Sequence, residues 1–240
     1  MKIKLSVLLM SVLLVLSGCN SSTGLTNKAK GGMIGGGGGA ALGAIIGAIA
    51  GKGKGAAIGA AVGTAVGAGA GVLIGNKMDK AKKAAELANA EAEVIEDSST
   101  GLTYVKVTFS SGLLFATGDA TLSSAAKTDL ATFAKNLDSD MDLYIYGHTD
   151  NVGFKSAKTE EESAQMNKDL SVKRATAVSS YLIQNGIKSA QVKDVSGYGQ
   201  EQPVADNTTA SGREQNRRVE VYVMPSKEMI SEAKTQAGEA

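Results

Sequence analysis

The sequence predicts an α/β fold for its C-terminal half, a sandwich in which helices cover one face of a mixed sheet in the order βαβαββ, preceded by a glycine-zipper helical hairpin. Three observations lead there. Beyond residue 100, stretches with an apolar period of two alternate with stretches of helical period. Strands alternating with helices over about 125 residues fold as a compact α/β sandwich. Before that region, glycine recurs at every fourth position from Gly35 to Gly75, so the 240 residues divide into parts of different physics.

Taken in chain order, Lys2 and Lys4 precede an apolar run from Leu5 to Leu16, closed by Ser17-Gly18-Cys19. A positive start, a hydrophobic stretch too short to span a bilayer and small residues at its end make a secretory signal over residues 1–18. Leu16-Ser17-Gly18-Cys19 resembles the bacterial lipobox, and Cys19 is the chain's single cysteine. The resemblance implies cleavage before Cys19 and its acylation, palmitate included. Burial of acyl methylenes at about 0.8 kcal/mol each makes several chains a stable anchor. Asn20 stands where an aspartate would mark retention in the inner membrane of enterobacteria, so the expected destination is the outer membrane. Residues 19–30 then read as a lipidated linker.

Of the 30 glycines, 18 fall between Gly31 and Gly75, a stretch without aromatic residues and with only two charges, Lys52 and Lys54. Eleven of them keep a strict spacing of four, filled in with Ala, Ile, Val and Leu. That period is helical. Glycine costs a helix about 1 kcal/mol relative to alanine in water, so such a helix needs lipid or close backbone contact. Gly51-Lys52-Gly53-Lys54-Gly55 divides the segment into Gly31–Ala50 and Ala56–Gly75, each long enough to cross a bilayer. Residues 31–76 are therefore expected to form a helical hairpin in or on a membrane, packed by glycine faces that also suit self-association into a homo-oligomer. Residues 77–99, basic first (Lys77, Lys80, Lys82, Lys83) and acidic later (Glu86, Glu91, Glu93, Glu96), read as a solvated helical spacer.

The C-terminal domain, residues 100–225, follows. Strands are expected at Leu102–Phe109, Met141–Tyr146, Val192–Ser196 and Arg218–Val223. Helices are expected at Leu122–Leu137, with Ala126, Leu130, Phe133 and Leu137 inward, and at Leu170–Gln184, with Gly186 as its stop. Residues 226–240 are left as a tail.

Within this domain stand Gly147-His148-Thr149-Asp150-Asn151-Val152-Gly153, then Asn167, Leu170-Ser171 and Arg174-Ala175, then Gly197-Tyr198-Gly199, Pro203, Asn207 and Gly212-Arg213-Glu214-Gln215-Asn216-Arg217-Arg218-Val219-Glu220. In order and residue type this series resembles the OmpA-like domain over about Leu102 to Met224. The resemblance implies non-covalent binding of peptidoglycan whose stem peptide carries diaminopimelate. It implies Asp150 as the partner of the ammonium and Arg174 as the partner of the carboxylate, with Thr149, Asn151, Gly153, Asn167 and Arg217 completing the pocket. The physical reading agrees, because a zwitterion needs one anion and one cation held a fixed distance apart, and a guanidinium offers a two-pronged fork. Arg213, Arg217 and Arg218 also suit a structural role at the start of the last strand. Between Gly153 and Asn167 the connection is longer than is usual in the family, and it either extends a loop or lengthens the helix.

Other chemistries are excluded on composition and pattern. A formal charge of +1 gives no basic face for nucleic acid. One cysteine and one histidine leave no ligand set for zinc or iron–sulfur centres, and no cofactor is expected. His148 with Asp150, and Ser171 as nucleophile, lack an orienting partner and a nucleophile elbow, so no catalysis is expected. The glycine segment holds no carboxylate, unlike the ion-driven stator proteins that share the domain. The expected function is that of a lipoprotein, with its C-terminal domain in the periplasm, tethering outer-membrane lipid to the cell wall. The alternative is a membrane oligomer or pore formed by the glycine zipper, which the C-terminal domain only positions.

Overall fold

The computed structural model describes residues 66–97 and 101–239. The signal segment 1–18, Cys19, the linker 19–30 and most of the expected hairpin, residues 31–65, lie outside the described residues.

The described chain runs α1 (Ala68–Leu87), β1 (Glu91–Glu96), β2 (Thr103–Ser110), a single turn α2 (Ser111–Leu114), α3 (Ser124–Asn136), β3 (Met141–Gly147), α4 (Glu160–Gln184), β4 (Val192–Gly197), α5 (Ala210–Asn216), β5 (Arg218–Pro225) and α6 (Lys227–Ala237). The five strands form one mixed sheet in the order β1-β2-β5-β3-β4. Only β3 and β4 pair in parallel, because α4 carries the chain back across the sheet between them. Every other pairing is antiparallel. The series β2-α3-β3-α4-β4-β5 is the expected βαβαββ order, extended by α1, β1 and α6.

Alternation sorts the side chains. Val105, Val107 and Phe109 lie opposite Val223, Val221 and Val219, and Leu143 and Ile145 continue the same rows on β3. This face takes the buried sides of α3 (Leu130, Phe133) and α4 (Val178, Leu182), with the Phe109 and Phe133 rings edge to face at 5.8 Å. Each such side chain removed from water stabilises the fold by about 1.5–3 kcal/mol. The opposite face carries Tyr104, Lys106, Tyr144, Tyr146, Glu220 and Tyr222. The helices start where side chains satisfy free amides: Ser123 Oγ accepts from Ala126 N at 3.0 Å, and Thr159 Oγ1 accepts from Glu162 N at 3.1 Å.

The structure corrects the sequence reading in four places. Residues 77–99 are not a solvated spacer. Ala81, Ala84 and Ala85 of α1 are buried, and β1 pairs with β2 along its whole length. The expected membrane arm Ala56–Gly75 does not hold over its last residues. Those from 68 onward belong to α1, where Ala70 and Ile74 join Met78 in the core against β2, α3 and α6, and no described helix is long and apolar enough to cross a membrane. The tail is the helix α6, which buries Met229, Ile230 and Ala233. The helix expected at Leu170 starts at Glu160, so the long connection lengthens the helix; Glu160, Glu161 and Glu162 in its first turn suit the positive end of the helix dipole.

One end of the sheet gathers the last residues of β2, β3 and β4 and the first of β5. The first turn of α1 stands at the other end. There Gly71 faces the Gly101 carbonyl in the β1–β2 turn, Lys77 pairs with Asp140 ahead of β3, and Ser226 N donates to Asp140 O at 3.1 Å. The Glu239 carboxylate accepts the amides of Gly67, Gly69 and Ala70 at 2.8, 3.1 and 3.2 Å, capping α1 from the far end of the chain.

Candidate functional site

Close contact between α4 and the strand ends builds the site. A Cβ at Gly147 would stand 2.1 Å from the Ser171 carbonyl oxygen, and one at Gly197 would stand 2.3 Å from Val172 N. No side chain fits either gap. Gly199, at φ +52°, turns the chain over α4 and lets its amide donate to Ser171 Oγ at 2.9 Å, while that hydroxyl donates to Lys168 O at 2.7 Å. Ser171 is thus a fixed joint between helix and loop. The joint seats Asn167, one turn before it, and Arg174, one turn after it, beside the loop that follows β3.

Around them lies a cavity of about 670 Å³, walled on one side by residues 111–118 and on the other by Thr149 to Lys155. It brings together Thr149, Asp150, Gly153, Asn167, Arg174 and Arg217, six of the seven expected binding residues. Asn151 is exposed and stands outside the lining.

Asp150 is 7% exposed, and its two oxygens have separate partners. Oδ1 accepts the Val152 amide at 3.1 Å, closing a tight turn, and Oδ2 meets Arg217 Nη1 at 2.5 Å. Thr149 N donates to Gly199 O at 2.9 Å, and its hydroxyl donates to Asp150 O at 2.9 Å. Asn167 Nδ2 bridges Val152 O and Gln200 Oε1, each at 3.2 Å, so it ties the two rim loops together.

Arg174 is 3% exposed, lies over the Phe115 ring at 5.2 Å, and is clamped by backbone: Nε donates to Asp119 O at 2.9 Å and Nη2 to Ala116 O at 3.4 Å. Burial pulls its pKa below the ordinary arginine value, and the neighbouring Arg217 charge acts in the same direction. The clamp leaves Nη1 without a hydrogen bond among the described residues, so the guanidinium keeps donor capacity while its plane is fixed.

The other arginines of the motif hold the scaffold. Arg213 Nη1 donates to the carbonyls of Asn207 and Thr208, and Arg218 binds Glu220 Oε1 at 2.8 Å and the carbonyls of Asn216 and Gln202. Burial favours the neutral form of Glu220, but Arg218 and Lys106 override it and bring its pKa down to about 2. His148, 1% exposed, stacks on Tyr198 at 5.5 Å and stays outside the cavity lining. Burial, aided by the Arg218 charge, lowers its pKa to about 3, so the ring is neutral at neutral pH. It belongs to the buried network around Glu220 and is not placed to exchange protons with a ligand in the cavity.

The sequence reading missed the wall made by Ser111 to Gly118, with Phe115 under Arg174, and Lys155 on the opposite rim. A signal for the wall was present: Thr117-Gly118-Asp119 after an apolar run is a turn, with Gly118 at φ +73° and Asp119 Oδ1 accepting the amides of Ala120 and Thr121.

Comparison with known proteins places this geometry. Residues 114–217 match the OmpA family, and residues 1–81 match a YMGG-like Gly-zipper. Motility protein B of Bacillus subtilis is 38% identical over 122 residues, which cover 50% of this chain and 44% of that protein. Outer membrane porin F of Pseudomonas aeruginosa is 42% identical over 96 residues, 40% of this chain and 24% of the porin. Peptidoglycan-binding protein ArfA of Mycobacterium tuberculosis is 38% identical over 84 residues, 35% of this chain and 23% of that protein. The chain therefore spans less than half the length of these relatives. The crystal structure of a MotB-like protein from Desulfovibrio vulgaris has the same fold, with a TM-score of 0.53 at 23% identity over 65% of this chain and 98% of that one. Residues 114–217 are thus an OmpA-family domain, and the chain ahead of it, over residues 1–81, matches a YMGG-like glycine zipper.

Proposed function

We propose that the domain binds the peptidoglycan stem peptide non-covalently, with Asp150 receiving the ammonium and Arg174 a carboxylate of diaminopimelate, and with Thr149, Gly153, Asn167 and Arg217 shaping the pocket. The observation that carries this reading is the joint lining of one cavity by a paired carboxylate and a buried guanidinium that keeps donor capacity. The peptidoglycan-binding relative ArfA supports it. Acylated Cys19 then holds the chain in the outer membrane, and the protein links that membrane to the cell wall without catalysing a reaction. The glycine zipper packs at or in the membrane and joins copies of the chain there, as its four-residue glycine spacing suits.

Co-sedimentation with purified sacculi tests the reading. The full chain in mild detergent pellets with sacculi, whereas Asp150→Asn stays in solution and Arg174→Lys, which keeps the charge but loses the fork, binds at least about tenfold more weakly. Absence of wild-type pelleting ends this reading. Wild-type binding that neither variant changes moves the site elsewhere.

A further inference from the structure

Charge inside the cavity is unbalanced. Its lining holds one carboxylate, Asp150, against three cations: Lys155, Arg174 and Arg217. Arg217 already neutralises Asp150, and the nearby Asp119 carboxylate is turned to the amides of its own turn. A single zwitterion, with one ammonium and one carboxylate on Arg174, would leave Lys155 without an anion and the site with a net charge of +2.

Lys155 stands apart from the other two. It sits in the long connection after Gly153, is exposed on the rim, and makes no ion pair or hydrogen bond among the described residues. Its backbone is nonetheless held: the neighbouring Phe154 amide donates to Ser163 Oγ at 2.9 Å, and Lys158 N donates to Glu162 Oε2 at 2.7 Å. Both anchors lie on the extra turns of α4. Beside Lys155 the wall is apolar, with Val152, Phe154 and Leu170, and suits methyl groups or methylene chains rather than further charge.

We propose that Lys155 is a second carboxylate-binding point, so that the cavity selects a peptide carrying two or more free carboxylates around one free ammonium. This rests on the stem-peptide reading and specifies its ligand as the free-acid form. Amidation of the second carboxylate removes the charge that Lys155 pairs with.

The test is calorimetric titration of the full chain in detergent with two soluble tripeptides, N-acetyl-L-Ala-γ-D-Glu-meso-diaminopimelate as the free acid, whose single ammonium is that of diaminopimelate, and the same peptide amidated at every carboxylate except that of the zwitterionic centre. Wild type is expected to bind the free acid about three- to fivefold more tightly, a preference that added salt erodes. Lys155→Gln, an exposed position that leaves the fold intact, is expected to bind both peptides at the weaker level. Equal wild-type affinities, or a Lys155→Gln variant that keeps the preference, overturn the proposal and leave the stem-peptide reading standing. Failure of wild type to bind either peptide overturns both.

Discussion

Arg217 closes on Asp150 across the mouth of the cavity, Nη1 to Oδ2 at 2.5 Å, while Arg174 is held away from that carboxylate by two backbone carbonyls. The two arginines differ in what they hold up. Arg217 has a side chain 37% exposed, and its loss of a partner is made good by water; Arg174 has almost no access to solvent. Asp150→Asn keeps the Val152 turn and is expected to change stability by less than about 1 kcal/mol while abolishing sacculus binding. Arg174→Ala strands the carbonyls of Ala116 and Asp119 and opens a hole above Phe115, with an expected loss of about 2–4 kcal/mol. Urea unfolding of both variants beside the pelleting assay separates the two roles.

A domain boundary at residue 98 cuts through the fold. Removing α1 uncovers the sides of β2 and α3 on which Ile74, Met78 and Ala81 pack, and removing β1 with it leaves β2 as an unpaired edge. Residues 98–240 are expected to unfold without a cooperative transition or to aggregate, whereas residues 66–240 unfold in one sharp step. Differential scanning calorimetry of the two fragments decides this.

His148 makes the fold sensitive to acid. Its pKa, about 6.5 when unfolded, is about 3 in the folded chain, so between those values the unfolded state takes up a proton that the folded state refuses. Stability therefore falls as pH drops from 6.5 toward 3, by about 1.4 kcal/mol per pH unit from this group. Glu220, lowered from 4.5 to about 2, adds a loss below pH 4.5. His148→Phe, which keeps the stack on Tyr198, is expected to flatten the pH dependence of urea midpoints between pH 6.5 and 4.5.

Glu239 caps α1 with three amide hydrogen bonds. Glu239→Ala is expected to cost about 1 kcal/mol and to speed hydrogen exchange at Ala70 and Gly71 while leaving α3 and α4 protected.

Much of the domain was legible because its residues obey simple periods. Val219, Val221 and Val223 alternate on a strand, and Ala126, Leu130 and Phe133 recur on a helix. Asp150 and Arg174, the two residues that the resemblance singled out, line one cavity. What stayed hidden had weak or competing signals. The buried stripe of α1 is mostly alanine set among four lysines, and its first turns share the glycine period of the preceding segment, so charge and glycine masked a core helix. β1, Glu-Ala-Glu-Val-Ile-Glu, carries the acidic residues of an exposed sheet edge and reads as a solvated run. The carbonyl clamp on Arg174 belongs to the backbone of a turn, which no side-chain pattern reports.

The first turn of α1 and the cavity occupy opposite ends of the sheet. In the proposed tether, tension entering at Gly67 and resisted at Asp150 would run along the strands and shear the hydrogen bonds that join β2, β5 and β3. Those bonds then share the pull in shear, many yielding together or not at all, whereas a grip at neighbouring strand ends would peel them one by one. The placement of the two ends would thus load the sheet of that tether in shear rather than in peeling.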